Sequence, residues 1–219
     1  MKIYSVKYKD TFGSLNTKIY SDGSILNLTL RGVHFKGYDF EALEGIVDKS
    51  KFEYAVYDNG VGVLTNFELT TEMPIDILDN GIVKTENLIA YIATGSNKSS
   101  VRLTLKTEHG IFLNKVEYDS FEDAILNIQN QLPENVKIKT CLSCKYSNYH
   151  PVGNGMFGGL NCFKNVKEDL EQVCNKSDLM HLWDKGLEEN KTFNVQETNV
   201  CSSHKFVTKN NWVYKNWTS

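Results

Sequence analysis

The sequence predicts an α+β protein: an antiparallel, β-rich, sandwich- or barrel-like region over residues 1–118, then a helix and a zinc-stapled, cysteine-rich subdomain over residues 119–219. Three observations carry that expectation. Apolar and polar residues alternate with period two through most of the first half, broken by tight-turn dipeptides. The period lengthens to that of a helix after Asp119. All five cysteines then fall from Cys141 to Cys201, the first two at metal-ligand spacing, and four of them can be collected by one metal ion.

The opening strands are written in strict alternation. Ile3, Ser5 and Lys7 oppose Tyr4, Val6 and Tyr8, and a second run from Leu15 leads into Ser21-Asp22-Gly23-Ser24. Asp-Gly between alternating runs marks a hairpin, because glycine takes positive φ at little cost. Leu26, Leu28 and Leu30 form the next inward face. Asp39 is placed to cap one or two helical turns carrying Phe40, Leu43, Ile46 and Val47. Phe52 to Tyr57, Asn59-Gly60 and Val61 to Leu69 read as the clearest hairpin in the chain. Met73-Pro74 interrupts the pattern, and a proline that cannot donate to a ladder implies a sheet edge or a strand start. Asn80-Gly81 turns the chain toward a strand at Leu88 to Thr94, and His109-Gly110 joins Val101–Leu105 to Ile111–Val116.

Asp119 and Ser120 precede Glu122 and Asp123 at capping-box spacing. Phe121, Ala124, Ile125, Ile128 and Leu132 mark one helical face, which Pro133 terminates. Two further helices are expected, at about 164–173 and at 177–185 with Gly186 as its stop. A strand over 192–200 would deliver Cys201. Cys174, four residues after Leu170, reads as a small core residue on an apolar helical face.

Composition narrows the function classes. A chain of 219 residues, 41% hydrophobic and 23% charged, is ordinary for a soluble globular protein. A net charge of −3 gives no general attraction to nucleic acid or to an anionic membrane. The first ten residues alternate instead of presenting the apolar stretch of a secretory signal, and no run approaches the roughly 18 apolar residues of a membrane helix. A cytoplasmic location is therefore expected, where thiols stay reduced and paired cysteines read as metal ligands before disulfides.

Cys141-Leu-Ser-Cys144 is a knuckle whose tight turn sets two sulfurs about a tetrahedral edge apart, each roughly 2.3 Å from a zinc ion. Cys162, Cys201, His204 and His150 are the candidates for the remaining ligands. The preferred set is Cys141, Cys144, Cys162 and Cys201, since thiolates are the softer donors, with His204 as the alternative fourth ligand. Four protein ligands leave no place for water, so the zinc is read as structural. Buried thiols without a metal are the competing explanation. The glycine-rich loop from His150 to Gly159 fits neither phosphate-binding fingerprint. Its glycines are read as letting the chain turn beside the metal site, and its Met156 and Phe157 as an exposed contact. Glu197, just upstream of Cys201, is read as a carboxylate turned inward to support a metal ligand.

The segments Cys141 to Tyr149, Gly153 to Phe163 and Val195 to Cys201 resemble an uncharacterised family of bacterial proteins, with a weaker echo at Leu30 to Gly37. The resemblance implies a bacterial cytosolic protein in which the four cysteines act together, and it implies no activity.

No nucleophile–base, paired-carboxylate or metalloprotease motif is present. The expected function is a protein-interaction module, immunity-like, with a protein partner. The alternatives are an enzyme working in a cleft between the β region and the cysteine-rich subdomain, and a nucleic-acid-binding zinc ribbon, which the charge disfavours.

Overall fold

The computed structural model describes residues 1–56, 61–95, 98–153 and 155–217. Its first half is a succession of strands: β1 (Lys2–Asp10), β2 (Gly13–Ser21), β3 (Leu26–Leu30), β4 (Val33–Gly37), β5 (Glu44–Ile46), β6 (Tyr54–Val56), β7 (Val61–Leu64), β8 (Phe67–Asp79), β9 (Ile82–Thr94), β10 (Ser100–Thr107) and β11 (Gly110–Leu113). Helix α1 (Phe121–Gln129) and β12 (Val136–Ile138) follow. The C-terminal part holds β13 (Ser147–Tyr149), β14 (Leu160–Cys162), α2 (Lys167–Leu170), α3 (Lys176–Glu188) and β15 (Phe193–Val195).

Among the described residues the β-rich half makes one antiparallel sheet in the order β11-β10-β9-β8-β1-β2-β3-β4-β5-β7-β6, with β12 also on β8. A sandwich would divide into two sheets and a barrel would pair its ends. Here the ladder runs unbroken from β11 to β6, and those two do not pair. The reason lies in the connections. Short turns make most strands pair with their chain neighbours, with β7 inserted between β5 and β6, and a long-range ladder, Ser5–Lys9 on Glu68–Glu72, welds the two runs into one sheet.

Alternation fixes the faces as expected. Tyr4, Val6 and Tyr8 of β1 are buried, as are Leu26, Leu28 and Leu30 of β3. Gly23 carries φ +96° in the β2–β3 turn, and Asn80 and Gly81 both carry positive φ between Asp79 and Ile82. The Asn59-Gly60 turn lies outside the described residues.

Pro74 does not interrupt its strand. β8 runs through it for 13 residues. One edge of β8 pairs with β9 throughout, while the other is shared between β1 (at 68–72) and β12 (at 77–79). Asp76 turns its carbonyl to that second edge, accepting from Lys139 N at 2.7 Å. Pro74, two residues earlier, faces the same way and meets the gap between the two partners, where no ladder donor is needed.

Helix α1 begins as the spacing requires, with Ser120 accepting from Asp123 N at 3.2 Å. Phe121, Ala124, Ile125 and Ile128 are buried, and the helix packs on β10. The Asp39 cap is also present, accepting from Glu41 N, but it starts only one 3-10 turn, Phe40–Ala42; Ile46 is 84% exposed in β5. The helix expected at 164–173 shortens to a 3-10 turn and α2, which leaves Cys174 exposed after its end. Gly186 lies inside α3 instead of ending it. A Cβ there would stand 2.4 Å from Thr192 Cγ2, so the glycine serves a close packing contact.

One hydrophobic core spans residues from Tyr4 to Trp217. A satellite cluster of Cys144, Tyr146, Phe163, Val166, Leu170, Leu179 and Trp183 sits under the C-terminal helices. The main core is joined across its two sequence halves by Phe40, Phe121 and Phe157, with ring centroids 4.6–6.0 Å apart. Phe121→Ala is expected to cost about 3–5 kcal/mol in chemical denaturation, the usual loss for a fully buried ring.

Candidate metal centre

The C-terminal half is assembled around Thr140–Tyr149. Ser143 N and Cys144 N donate back to Thr140 O and Cys141 O, both at 3.1 Å, closing the tight turn that Cys-x2-Cys spacing calls for. Ser147 Oγ donates to Cys141 O and lies 3.2 Å from Cys144 O, tying the turn to β13. The β13–β14 register then sets Cys162 opposite Ser147.

Cys201 arrives from a second turn. His204 N donates to Cys201 O at 3.1 Å, repeating the first turn's pattern. This turn lies against the first one: Cys141 N donates to Asn199 O at 2.5 Å, Lys145 N to Lys205 O at 2.7 Å and Val207 N to Ser143 O at 3.0 Å. The strand expected to deliver Cys201 ends early, at Val195.

Cys141, Cys144 and Cys162 are 6–7% exposed and Cys201 is partly exposed. Burial, then the neighbouring Cys144, Cys162 and Cys201, push the Cys141 thiol far up. Burial chiefly, and then Cys144 and Cys201, raise that of Cys162. The thiols thus lie near enough to act on one another electrostatically, although no three of their sulfurs stand within 4.8 Å of one another.

His204 turns elsewhere. Its Nε2 stands 3.1 Å from Ser143 Oγ, its ring meets Phe206 edge-on, and burial pulls its pKa down to about 4. His150 packs edge-on against Trp183, and its Nδ1 accepts from Val152 N.

Lys215 escaped the sequence reading. Its Nζ donates to Cys144 O at 2.6 Å, Ser147 O at 2.8 Å and Ser147 Oγ at 3.0 Å. Burial lowers its pKa to about 8 against the opposing pull of Cys144 and Cys141. A lone lysine among C-terminal aromatics carries no local signal of this role.

The glycine-rich loop has a different task from the one expected. Met156 and Phe157 are 1% and 0% exposed, so they form no surface contact. The loop turns tightly beside the Tyr38–Asp39 backbone. A Cβ on Gly155 would meet Asp39 Oδ2 at 2.0 Å, and one on Gly158, at φ +75°, would meet Tyr38 O at the same distance. Glu197 is fully buried and holds this loop, accepting from Gly158 N at 2.6 Å and from Tyr149 OH at 3.1 Å. Its link to the knuckle runs through the backbone, where Leu142 N donates to Glu197 O at 3.3 Å. Burial pushes both Asp39 and Glu197 up to about 7.

Among the described residues, Asp79, Glu108 and His109 bring their donor atoms within 4.8 Å of one another. Lys84 Nζ already bridges the two carboxylates at 2.7 and 2.6 Å, and His109 Nε2 lies 3.0 Å from Asp79 Oδ2. The two carboxylates are thus already engaged by Lys84. A concavity of about 1270 Å³ is an open groove along Val33, Tyr38, Glu44, Ile46 and Val47. A smaller cleft of about 410 Å³ lies at the junction of the halves, lined by Glu41, Ser120, Glu122, Gly155 and Asn216.

Residues 2–147 match the model of DUF6304, a family of unknown function. The matched span contains Cys141 and Cys144 and ends before Cys162 and Cys201, so the C-terminal pattern lies largely outside it. No curated protein and no solved structure matches the chain. No described helix is long and apolar enough to cross a membrane.

A carboxyl raised in the folded state binds its proton more readily there than in the unfolded chain, so its contribution to stability falls as pH rises from about 4.5 to about 7. Glu197→Gln removes that penalty. It is expected to stabilise the protein above pH 7.5 by on the order of 3 kcal/mol, with the gain vanishing near pH 4.5, as read from denaturation midpoints across that range.

Proposed function

The chain belongs to the DUF6304 family, and on that premise we propose that it is a binding protein whose C-terminal half is fastened by a structural zinc ion on Cys141, Cys144, Cys162 and Cys201. The reading is supported by three separate stretches of chain, carrying Cys141 and Cys144, Cys162, and Cys201, which converge on the turn that Thr140–Tyr149 makes, near enough for their thiols to act on one another. Buried thiols crowded together are costly to ionise by themselves, whereas a soft dication stabilises all four as thiolates. Binding asks the sulfurs to draw in to a tetrahedral edge of about 3.8 Å, given bond lengths near 2.3 Å. The hydrogen bond of His204 to Ser143 supports Cys162 as the fourth ligand.

Four thiolates close the coordination shell, which makes the metal a clasp and not a reaction centre. The proposed partner is a protein. With Met156 and Phe157 buried, support for this comes from the sheet, where Tyr38 and Ile46 are 45% and 84% exposed along the open groove. Catalysis in the junction cleft is the second reading, favoured by one observation: Glu122 lines that cleft 6% exposed, with burial pushing its carboxyl up to about 7.

Protein purified without chelator is expected to contain one zinc per chain by elemental analysis. Native alkylation should then label the exposed Cys174 alone, and chelator should open the other four thiols. Absence of metal together with free labelling of all five would overturn the clasp. Cys162→Ser should abolish stoichiometric zinc and remove much of the stability that a structural site supplies, on the order of 10 kcal/mol of binding energy.

A further inference from the structure

We infer that Lys215 is the counter-cation of the thiolate centre, a positioning residue whose ammonium offsets the surplus charge of the four sulfurs and so strengthens metal binding. The inference rests on the zinc reading above. A dication held by four thiolates leaves two negative charges uncompensated. Three of these thiols are almost wholly buried, and a buried charge without a partner is costly.

Lys215 is placed to meet that demand. Its three ammonium protons find three oxygens, Cys144 O, Ser147 O and Ser147 Oγ, all on the segment that carries the knuckle and faces Cys162. Cys144, Cys141 and Cys162 all act on it electrostatically. Lys2 also acts on Cys141 and Lys164 on Cys162, but Lys2 Nζ donates to Thr198 O at 3.4 Å and Lys164 Nζ lies over the Phe193 ring, so neither is hydrogen-bonded to the knuckle as Lys215 is. Lys145 is turned outward to Glu171 at 3.1 Å, Lys139 acts on His204, and Glu122 acts on Lys215 with the same sign as the thiols.

The chain holds this lysine from both sides. Tyr149 N donates to Tyr214 O at 3.1 Å and Tyr214 N to Asn148 Oδ1 at 2.7 Å, while Asn216 N donates to Glu122 Oε1 and Trp217 is buried in the main core. Lysine side chains carry large rotamer entropy. Here the backbone on either side is already fixed, so the ammonium reaches the knuckle at a reduced ordering cost.

The test compares zinc affinity, by competition with a chromophoric chelator, in the full chain and in the Lys215→Met and Lys215→Gln variants. Cobalt(II) is the spectroscopic substitute. Loss of an outer group that supports metal ligands weakens binding by about 10–100-fold, and that is the expected loss in both variants. The sulfur-to-cobalt charge-transfer band should move to longer wavelength, because thiolates without a nearby cation give up electrons more easily. A merely structural anchor would instead leave the cobalt band unmoved and be largely rescued by the glutamine donor. Unchanged affinity and an unmoved band in both variants overturn this inference alone. A wild-type chain that takes up neither metal overturns the zinc reading and this inference with it.

Discussion

The C-terminal half depends on the backbone of ten residues, Thr140 to Tyr149. That stretch bonds to Glu197 and Asn199, to Lys205 and Val207, to Phe163 and to Tyr214, and through β13 it pairs with β14. Little else there is regular: three-residue strands, a four-residue helix and one longer helix resting on a small satellite core. Short elements of this kind bury too little apolar surface to offset their own ordering entropy. The proposed zinc cross-link, at the point where the stretches meet, would supply what packing does not. The thiols occupy that point, and the hydrogen bonds of Lys215 add a second fastening for the tail.

The two sequence halves are not independent bodies. Phe157, carried in the glycine-rich loop, enters the core between Phe40 and Phe121. Asp39 and Glu197 grip the same loop from opposite ends of the sequence. Keeping two carboxylates in such surroundings opposes stability near neutral pH. It places a charge-sensitive latch where the sheet meets the cysteine-rich part.

Much of the sheet was legible because its signals are local. Asp22-Gly23 and Asn80-Gly81 need only their own φ angles to turn the chain, and Ser120 needs only Asp123 to start α1. The single-sheet topology was not, because the β1–β8 and β12–β8 ladders join residues far apart in sequence. Pro74 misled for the same reason, since its tolerance depends on where β1 ends and β12 begins. Met156 and Phe157 read as exposed because loops usually run over surfaces. Gly155 and Gly158 remove the side chains that would have kept this one out. The proposal that four cysteines act together rests on spacing and type, which are legible in the sequence. Lys215 was not legible there, since a lysine is solvated by default and only the folded tail turns it inward.

The claim that the thiols act as one metal centre is tested most directly by X-ray absorption at the zinc edge of the purified full-length chain. A single shell of four sulfurs at about 2.3 Å is the expected result. A shell containing nitrogen or oxygen in place of a sulfur, or a sample with no zinc to measure, would contradict it.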